Sequence, residues 1–274
     1  MSLRFRVLGS GSSGNATLVE AGGTRLLIDA GLGPRALAER LSSAGVDPAS
    51  LAAVLVSHEH GDHARGAAAF SGKWGMRLWG SRGTYTAAAF GAEEIAGYDA
   101  IEAGETRSAG RLKVKAVAVP HDAAAALAFV VSFDDLSLGH ATDFGHVGRS
   151  LVDAFRPCDA VLVESNYDPE MLRDGPYPWS LKERILGPLG HLSNGDVARY
   201  LASGLGAACR HVVLAHLSLK NNHPELARMA AEEALHRRGR TEVRLTLAPA
   251  EGTDWIEVSR PRLPEPKARQ LPLF

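Results

Sequence analysis

The sequence predicts an α/β protein made of two packed mixed sheets with helices on their outer faces. Three observations predict it. Apolar runs of strand length recur along the chain and pass into helical patterns in two successive blocks. Two pairs of runs meet at short turns, Gly22-Gly23 and Asp134-Asp135, which are hairpin signals. No linker divides the blocks. Residues 1–259 therefore read as one domain and 260–274 as an extended tail, with Pro261, Pro264, Pro266 and Pro272.

Leu3 to Leu8 is a short strand, and Ala16–Glu20 with Arg25–Asp29 forms the first hairpin. Pro34 opens a helix through Leu37 and Leu41 that Gly45 stops. Ala52–Val56 is a buried strand, followed by a helix over Ala64–Phe70 and a strand at Met76–Trp79. Leu112–Val119 alternates with Lys113 and Lys115 as a half-buried strand should. Leu127–Phe133 and Leu136–Ala141 form the second hairpin, and Val161–Val163 is a strand. Helices follow at Leu181–Leu186 and Asp196–Leu205, then a strand at Val212–Ala215. Pro224 begins a helix through Leu235, and Val243–Leu247 with Trp255–Val258 reads as a last strand pair.

The chain has 274 residues, 30 Lys plus Arg, 31 Asp plus Glu and a net charge of −1. That balance carries no global attraction for nucleic acid, so a polyanion must be held by a local patch or by metal. No apolar run approaches a membrane span or a signal peptide. Two cysteines, Cys158 and Cys209, exclude a disulfide framework and predict a cytoplasmic protein. Eleven histidines are the oddity, because several follow apolar runs directly.

Gly9-Ser10-Gly11-Ser12-Ser13-Gly14 fits GxGxxG, with Asp29 at dinucleotide-binding spacing. A helix must follow such a turn. Here a hairpin follows, so the dinucleotide reading is rejected. The segment reads instead as a tight loop whose Ser12, Ser13 and Asn15 donate hydrogen bonds near a site. The chemistry-bearing run is His58-Glu59-His60-Gly61-Asp62-His63, an HxHxDH pattern at the end of a buried strand. His58 and His60 can point one way from an extended loop, and Gly61 lets Asp62 and His63 face a second position. Imidazole with carboxylate suits zinc, and manganese or iron also fit.

HxHxDH with the N-terminal GSGSSGN hairpin resembles the metallo-β-lactamase-fold hydrolases, whose architecture is a four-layer αββα sandwich. The resemblance implies further metal ligands, each after a predicted strand: His121 in VPHD, Asp143 in TDFG and His216 in LAHLS. Asp143 is preferred over its neighbours because a carboxylate can bridge two cations. His140 is expected to point back into the sheet and His146 toward solvent. Within that superfamily, ESNYD at 164–168, YPW at 177–179 and Asn221-Asn222 after LAHLS resemble the YycJ-type (WalJ-type) group, over nearly the whole chain to about Arg260. That group is associated with DNA exonuclease activity and is similar to ribonuclease Z. The resemblance implies that Glu164 orients His191, which protonates the leaving oxygen. Asn166 and Asn222 are further candidates for substrate binding.

Two divalent ions would bring four positive charges, which Asp62 and Asp143 only half offset. The expected function is a phosphodiesterase in which a metal-bridged hydroxide attacks phosphorus, Asp62 helps to orient it and His191 supplies the proton. DNA exonuclease is favoured over a ribonuclease and over a thioester or lactone hydrolase, which the Glu164/His191 pair disfavours. A metal-stabilised binding module is disfavoured because structural zinc sites are closed and Cys-rich. Arg173, Lys182, Arg184, Lys220 and Arg228 are candidate phosphate contacts. Finally, Gln270, Leu271, Leu273 and Phe274 resemble the short motif by which bacterial DNA-processing proteins dock on the replication sliding clamp.

Overall fold

The computed structural model describes residues 2–258 and 260. The first block contains β1 (Leu3–Gly9), β2 (Ala16–Ala21), β3 (Thr24–Ile28), α1 (Pro34–Ser43), β4 (Ala53–Leu55), α2 (Gly61–Ala64), α3 (Ala67–Trp74), β5 (Leu78–Gly80), α4 (Arg82–Ala87) and β6 (Tyr98–Ala100). The second contains β7 (Thr106–Ala109), β8 (Leu112–Ala118), β9 (Leu127–Phe133), β10 (Leu136–Ala141), α5 (Arg149–Phe155), β11 (Ala160–Glu164), α6 (Pro169–Asp174) and α7 (Trp179–Leu186). It continues through α8 (Asn194–Ser203), β12 (His211–Ala215), α9 (Pro224–Arg237), β13 (Arg244–Leu247) and β14 (Ile256–Val258). Among the described residues these strands form two seven-stranded sheets, β14-β1-β2-β3-β4-β5-β6 and β13-β12-β11-β10-β9-β8-β7.

Both sheets are mixed, and their pairing aligns the strand ends that matter. β1 and β3 both run antiparallel to β2, and β4 runs parallel to β3, so β1, β3 and β4 end at one edge. In the second sheet β8 and β10 run antiparallel to β9, and β11 and β12 run parallel to β10. β8, β10, β11 and β12 therefore also end together. Sites in such sheets gather beyond the carboxyl ends of the strands.

Burial on both faces explains why β4, β10, β11 and β12 read as apolar runs, whereas β8, with Lys113 and Lys115 exposed, alternates. On β11, Ala160 and Leu162 face the layer between the sheets, with Phe5, Ile28, Phe129 and Val213. Val161 and Val163 face the opposite layer, with Phe155, Leu201 and Ala231 from α5, α8 and α9. Leu27, Leu37, Leu41 and Phe70 fill the corresponding outer layer of the first sheet. No helix among the described residues is long and apolar enough to cross a membrane.

Three expectations need correction. The helix read over Ala64–Phe70 is two helices, α2 and α3. They break at Gly66, whose backbone N–H donates to Ala30 O at 2.8 Å. A Cβ on Gly66 would lie only 2.1 Å from Leu32 O, so the chain must pass this close to the β3 loop. Second, β13 and β14 are not partners. β13 extends the second sheet beside β12, and β14 extends the first beside β1. Between them Gly252, with φ at 94°, lets the chain cross where a side chain would meet Val7 O. Third, α4, α5, α6, β6 and β7 had no sequence assignment. They are short and carry little periodicity; caps mark only α4, where Ser81 accepts from the Thr84 N–H, and α6, where Asp168 accepts from the N–H groups of Glu170 and Met171.

Candidate metal centre

The HxHxDH residues leave β4 and enter α2 within one turn of chain. Asp29, Asp143 and His216 follow β3, β10 and β12, each with a left-handed backbone, φ 62°, 61° and 53°. Such conformations are uncommon outside glycine and are held only where surrounding structure over-determines them. Here they turn side chains at strand ends inward. The result is two sets of donors, His58/His60/His121 and Asp62/His63/Asp143/His216, with ligand atoms within 4.8 Å of one another in each. A third set, Asp143/Glu164/His191/His216, overlaps the second.

These side chains are held from behind. His63 Nδ1–H donates to Asp29 at 2.8 Å, which leaves Nε2 facing Asp143 Oδ2 at 2.9 Å. Asp29 is fully buried and also accepts from the Ser57 N–H at 2.8 Å. His121 Nδ1–H donates to Leu189 O at 3.0 Å, while its Nε2 lies 3.3 Å from His60 Nδ1. His216 Nε2 lies 3.4 Å from Asp62 Oδ2, and the His216 backbone N–H donates to Ser10 Oγ at 2.8 Å. His191 Nδ1–H donates to Glu164 at 3.0 Å and sits 3.4 Å from Asp143. Glu164 is fully buried and also accepts from the N–H groups of Phe144 and Leu192, at 2.8 and 3.2 Å.

The donor chemistry fits divalent cations. The buried Nε2 of His58 has no hydrogen-bond partner among the described residues. An unsatisfied buried nitrogen is costly unless something takes its lone pair, and a cation does so. Burial, reinforced by His63, keeps the His58 pKa well below the ordinary imidazole value, so it is neutral and ligand-competent. Burial likewise lowers His121. Burial opposes charge on His63 too, but Asp143 and Asp29 outweigh it and raise its pKa well above the usual value. His216 is pushed up to about 10 against burial by Asp143, Asp62 and Glu164. A proton on His216 stands where a cation would, so metal loading must displace it.

His60, Asp62, Asp143, Asn166, His191 and His216 line one cavity of about 470 Å³, with Ser12 at its mouth. Not every sequence candidate reaches it. The exposed Ser13 is absent from the lining, and Asn222 is buried behind it, donating to Ser165 O and Asn166 O at 2.8 and 3.1 Å. Asn15 donates to Gly11 O at 3.2 Å and to Asp62 O at 3.3 Å, and its Nδ2 lies 3.0 Å from His63 Nε2, so it braces the HxHxDH loop. His140 is buried between the sheets against Thr17, and His146 is exposed. Of the basic candidates, Arg184 lines the cavity. Lys182 is buried and donates to Arg173 O at 2.7 Å, which removes it from any surface patch. Arg173, Lys220 and Arg228 lie outside the lining. The sliding-clamp candidates Gln270, Leu271, Leu273 and Phe274 lie outside the described residues.

Sequence reasoning missed Asp29 and also Asp122, which lines the cavity with a carboxylate oxygen 3.3 Å from His121 Nε2. Asp29 was weighed only as a dinucleotide contact, yet it follows a strand just as Asp143 does. Asp29→Asn should keep the left-handed turn, which asparagine tolerates. Because a partner behind a ligating histidine fixes its tautomer, the variant should bind metal ~10–100-fold more weakly. Competition with a chromophoric chelator measures this, and unchanged affinity would show that Asp29 does not set His63.

Comparison with known proteins agrees with this architecture. The profile of the Beta-lactamase superfamily domain matches residues 24–217. Exodeoxyribonuclease WalJ of Streptococcus pneumoniae is 36% identical over 233 residues, covering 84% of this chain and 87% of that protein. Exodeoxyribonuclease YycJ of Bacillus anthracis is 35% identical over 245 residues, covering 87% and 91%. Among solved structures, the metallo-beta-lactamase fold protein YhfI from Bacillus subtilis superposes with a TM-score of 0.72 at 16% identity, covering 94% of this chain and 100% of that one. Human tRNase Z, short form, superposes with a TM-score of 0.62 at 16% identity, covering 94% and 99%. By profile, sequence and fold together, the chain belongs to the metallo-β-lactamase-fold superfamily, among the relatives of WalJ and YycJ.

Proposed function

We propose that the protein is a dinuclear metal-dependent phosphodiesterase that degrades nucleic acid, as a DNA exonuclease. The observation that carries this reading is the Glu164–His191 pair beside the donor cluster, with His191 Nδ1 3.0 Å from Glu164 and 3.4 Å from Asp143. Cleaving a phosphodiester expels a sugar oxygen that needs a proton, and a buried carboxylate behind an imidazole equips it to give one. A thioester or lactone hydrolase has less use for that pair. The names of the relatives of known sequence support DNA as the substrate.

His58, His60 and His121 would hold one ion, and Asp62, His63 and His216 the other, with Asp143 shared. When bound, divalent ions there would lower the pKa of water and offset phosphate charge; zinc fits this donor set, and manganese or iron also match it. Burial opposes the charge on His191, but Glu164 and Asp143 outweigh it and raise its pKa, which favours the protonated imidazole that a leaving oxygen needs. Burial opposes the charge on Asp62, but the hydrogen bond from His216 and the charge of His63 outweigh it and lower its pKa, so its carboxylate can orient a water. Assaying labelled duplex DNA, RNA, bis-p-nitrophenyl phosphate and a thioester tests the reading. DNA and the diester should be hydrolysed, and turnover of the thioester alone would reject it.

The clamp-docking reading of 270–274 rests on sequence. Removing those five residues is expected to end binding to purified bacterial sliding clamp and leave diester hydrolysis intact. Undiminished clamp binding would reject it.

A further inference from the structure

The cavity has a wall that phosphate chemistry does not need. Tyr177, Leu181, Arg184 and Ile185 all line it. Their spacing places them on one face of α7 and the turn that precedes it. Ile185 is buried, while Tyr177 and Leu181 are half-buried and so still present apolar surface to the cavity. Behind them Tyr167 and Leu172 fix the wall in a small cluster of its own. The histidine–aspartate cluster makes up half of the remaining lining, with Arg65 on the side of the HxHxDH loop. Arg184 bridges the two parts, because its Nε donates to Asp122, and Asp122 lies 3.3 Å from His121. Its terminal nitrogens make no hydrogen bond among the described residues, and the side chain is 55% exposed. The cavity thus offers charge and hydrogen bonds on one part, a flat aromatic and aliphatic surface on another, and a cation between them.

A ligand that satisfies all three has a phosphate joined to a flat, mostly apolar ring. A phosphate or sugar alone would leave the wall wet, whereas aromatic side chains stack on any base through its face. We infer that Tyr177, Leu181 and Ile185 form the pocket for the base of the nucleotide whose phosphate meets the histidine–aspartate cluster, a reading that rests on the phosphodiesterase function proposed above. Arg184 reaches that nucleotide's phosphate. To enter, the base must leave its stack, which is easiest at a strand end.

Isothermal titration of thymidine 5′-monophosphate and of inorganic phosphate into the purified, metal-loaded protein tests this. The nucleotide should bind about ten-fold or more tightly than phosphate, the scale that stacking of one base supplies. Tyr177→Ala should abolish that preference, Tyr177→Phe should keep it because the ring and not the hydroxyl is used, and Leu181→Ala should reduce it. Thermal melting of each variant checks that it is folded. Equal affinity of the native protein for nucleotide and phosphate overturns the pocket, as does a folded Tyr177→Ala that keeps the preference. If the nucleotide is preferred but the same preparation leaves DNA and bis-p-nitrophenyl phosphate uncut, the pocket stands and the phosphodiesterase reading falls.

Discussion

Asp62→Ala and His121→Ala are each expected to abolish hydrolysis of both DNA and bis-p-nitrophenyl phosphate and to lower the metal content of the purified protein. Asp62 lies 3.4 Å from His216 and 3.6 Å from His63, so its removal opens one donor set. His121 faces His60 at 3.3 Å, so its removal opens the other. Stabilisation of transition-state charge by a bound ion is worth several kcal/mol, and each ~1.4 kcal/mol is ten-fold in rate. The loss should therefore reach about 10³-fold or more. Elemental analysis beside the rate assay decides the matter, because full activity with unchanged metal in either variant rejects the assignment.

His191→Ala is expected to slow DNA hydrolysis by ~10²–10⁴-fold, the usual contribution of a positioned acid. The same variant should lose much less on bis-p-nitrophenyl phosphate, whose leaving group departs without a proton. Equal losses on the two substrates would show that His191 serves another purpose. Glu164→Gln should follow the same pattern more weakly, since Glu164 acts through His191. Its carboxylate also ties down the Phe144 and Leu192 N–H groups, so a melting curve must accompany the kinetics.

Legibility of the site follows from where its residues sit. β4, β10, β11 and β12 are flanked by packed layers, so they appear in sequence as apolar runs with abrupt ends, while β8 shows the alternation of a strand with one exposed face. The histidine or carboxylate just after each end, from His58 through His216, then stands out against the preceding residues. Asp29 obeys the same rule but was drawn into a glycine pattern that suggested a different ligand. Asp122 was hidden by its neighbour His121. The short elements α4, α5 and α6 and the edge strands β6 and β7 were illegible because a few residues carry too little periodicity. On β6, half-buried Tyr98, Asp99 and Ala100 show no apolar run at all.

Local sequence by itself determined the residue types, the strand lengths and the loops that bear the donors, because hydrophobic periodicity and turn chemistry act over a few neighbouring residues. It also determined the family, through spaced motifs that resemblance could join. Only the tertiary structure decided which donors share a set, that Asp29 stands behind His63, and that Asn222 and Lys182 are buried rather than offered to a ligand. Only it decided that β13 and β14 close different sheets. Those facts depend on register and packing between segments as distant as Ser10 and His216, which meet at 2.8 Å across the sandwich. Contacts at that sequence separation are set by how two whole sheets bury their faces, and no local pattern encodes them.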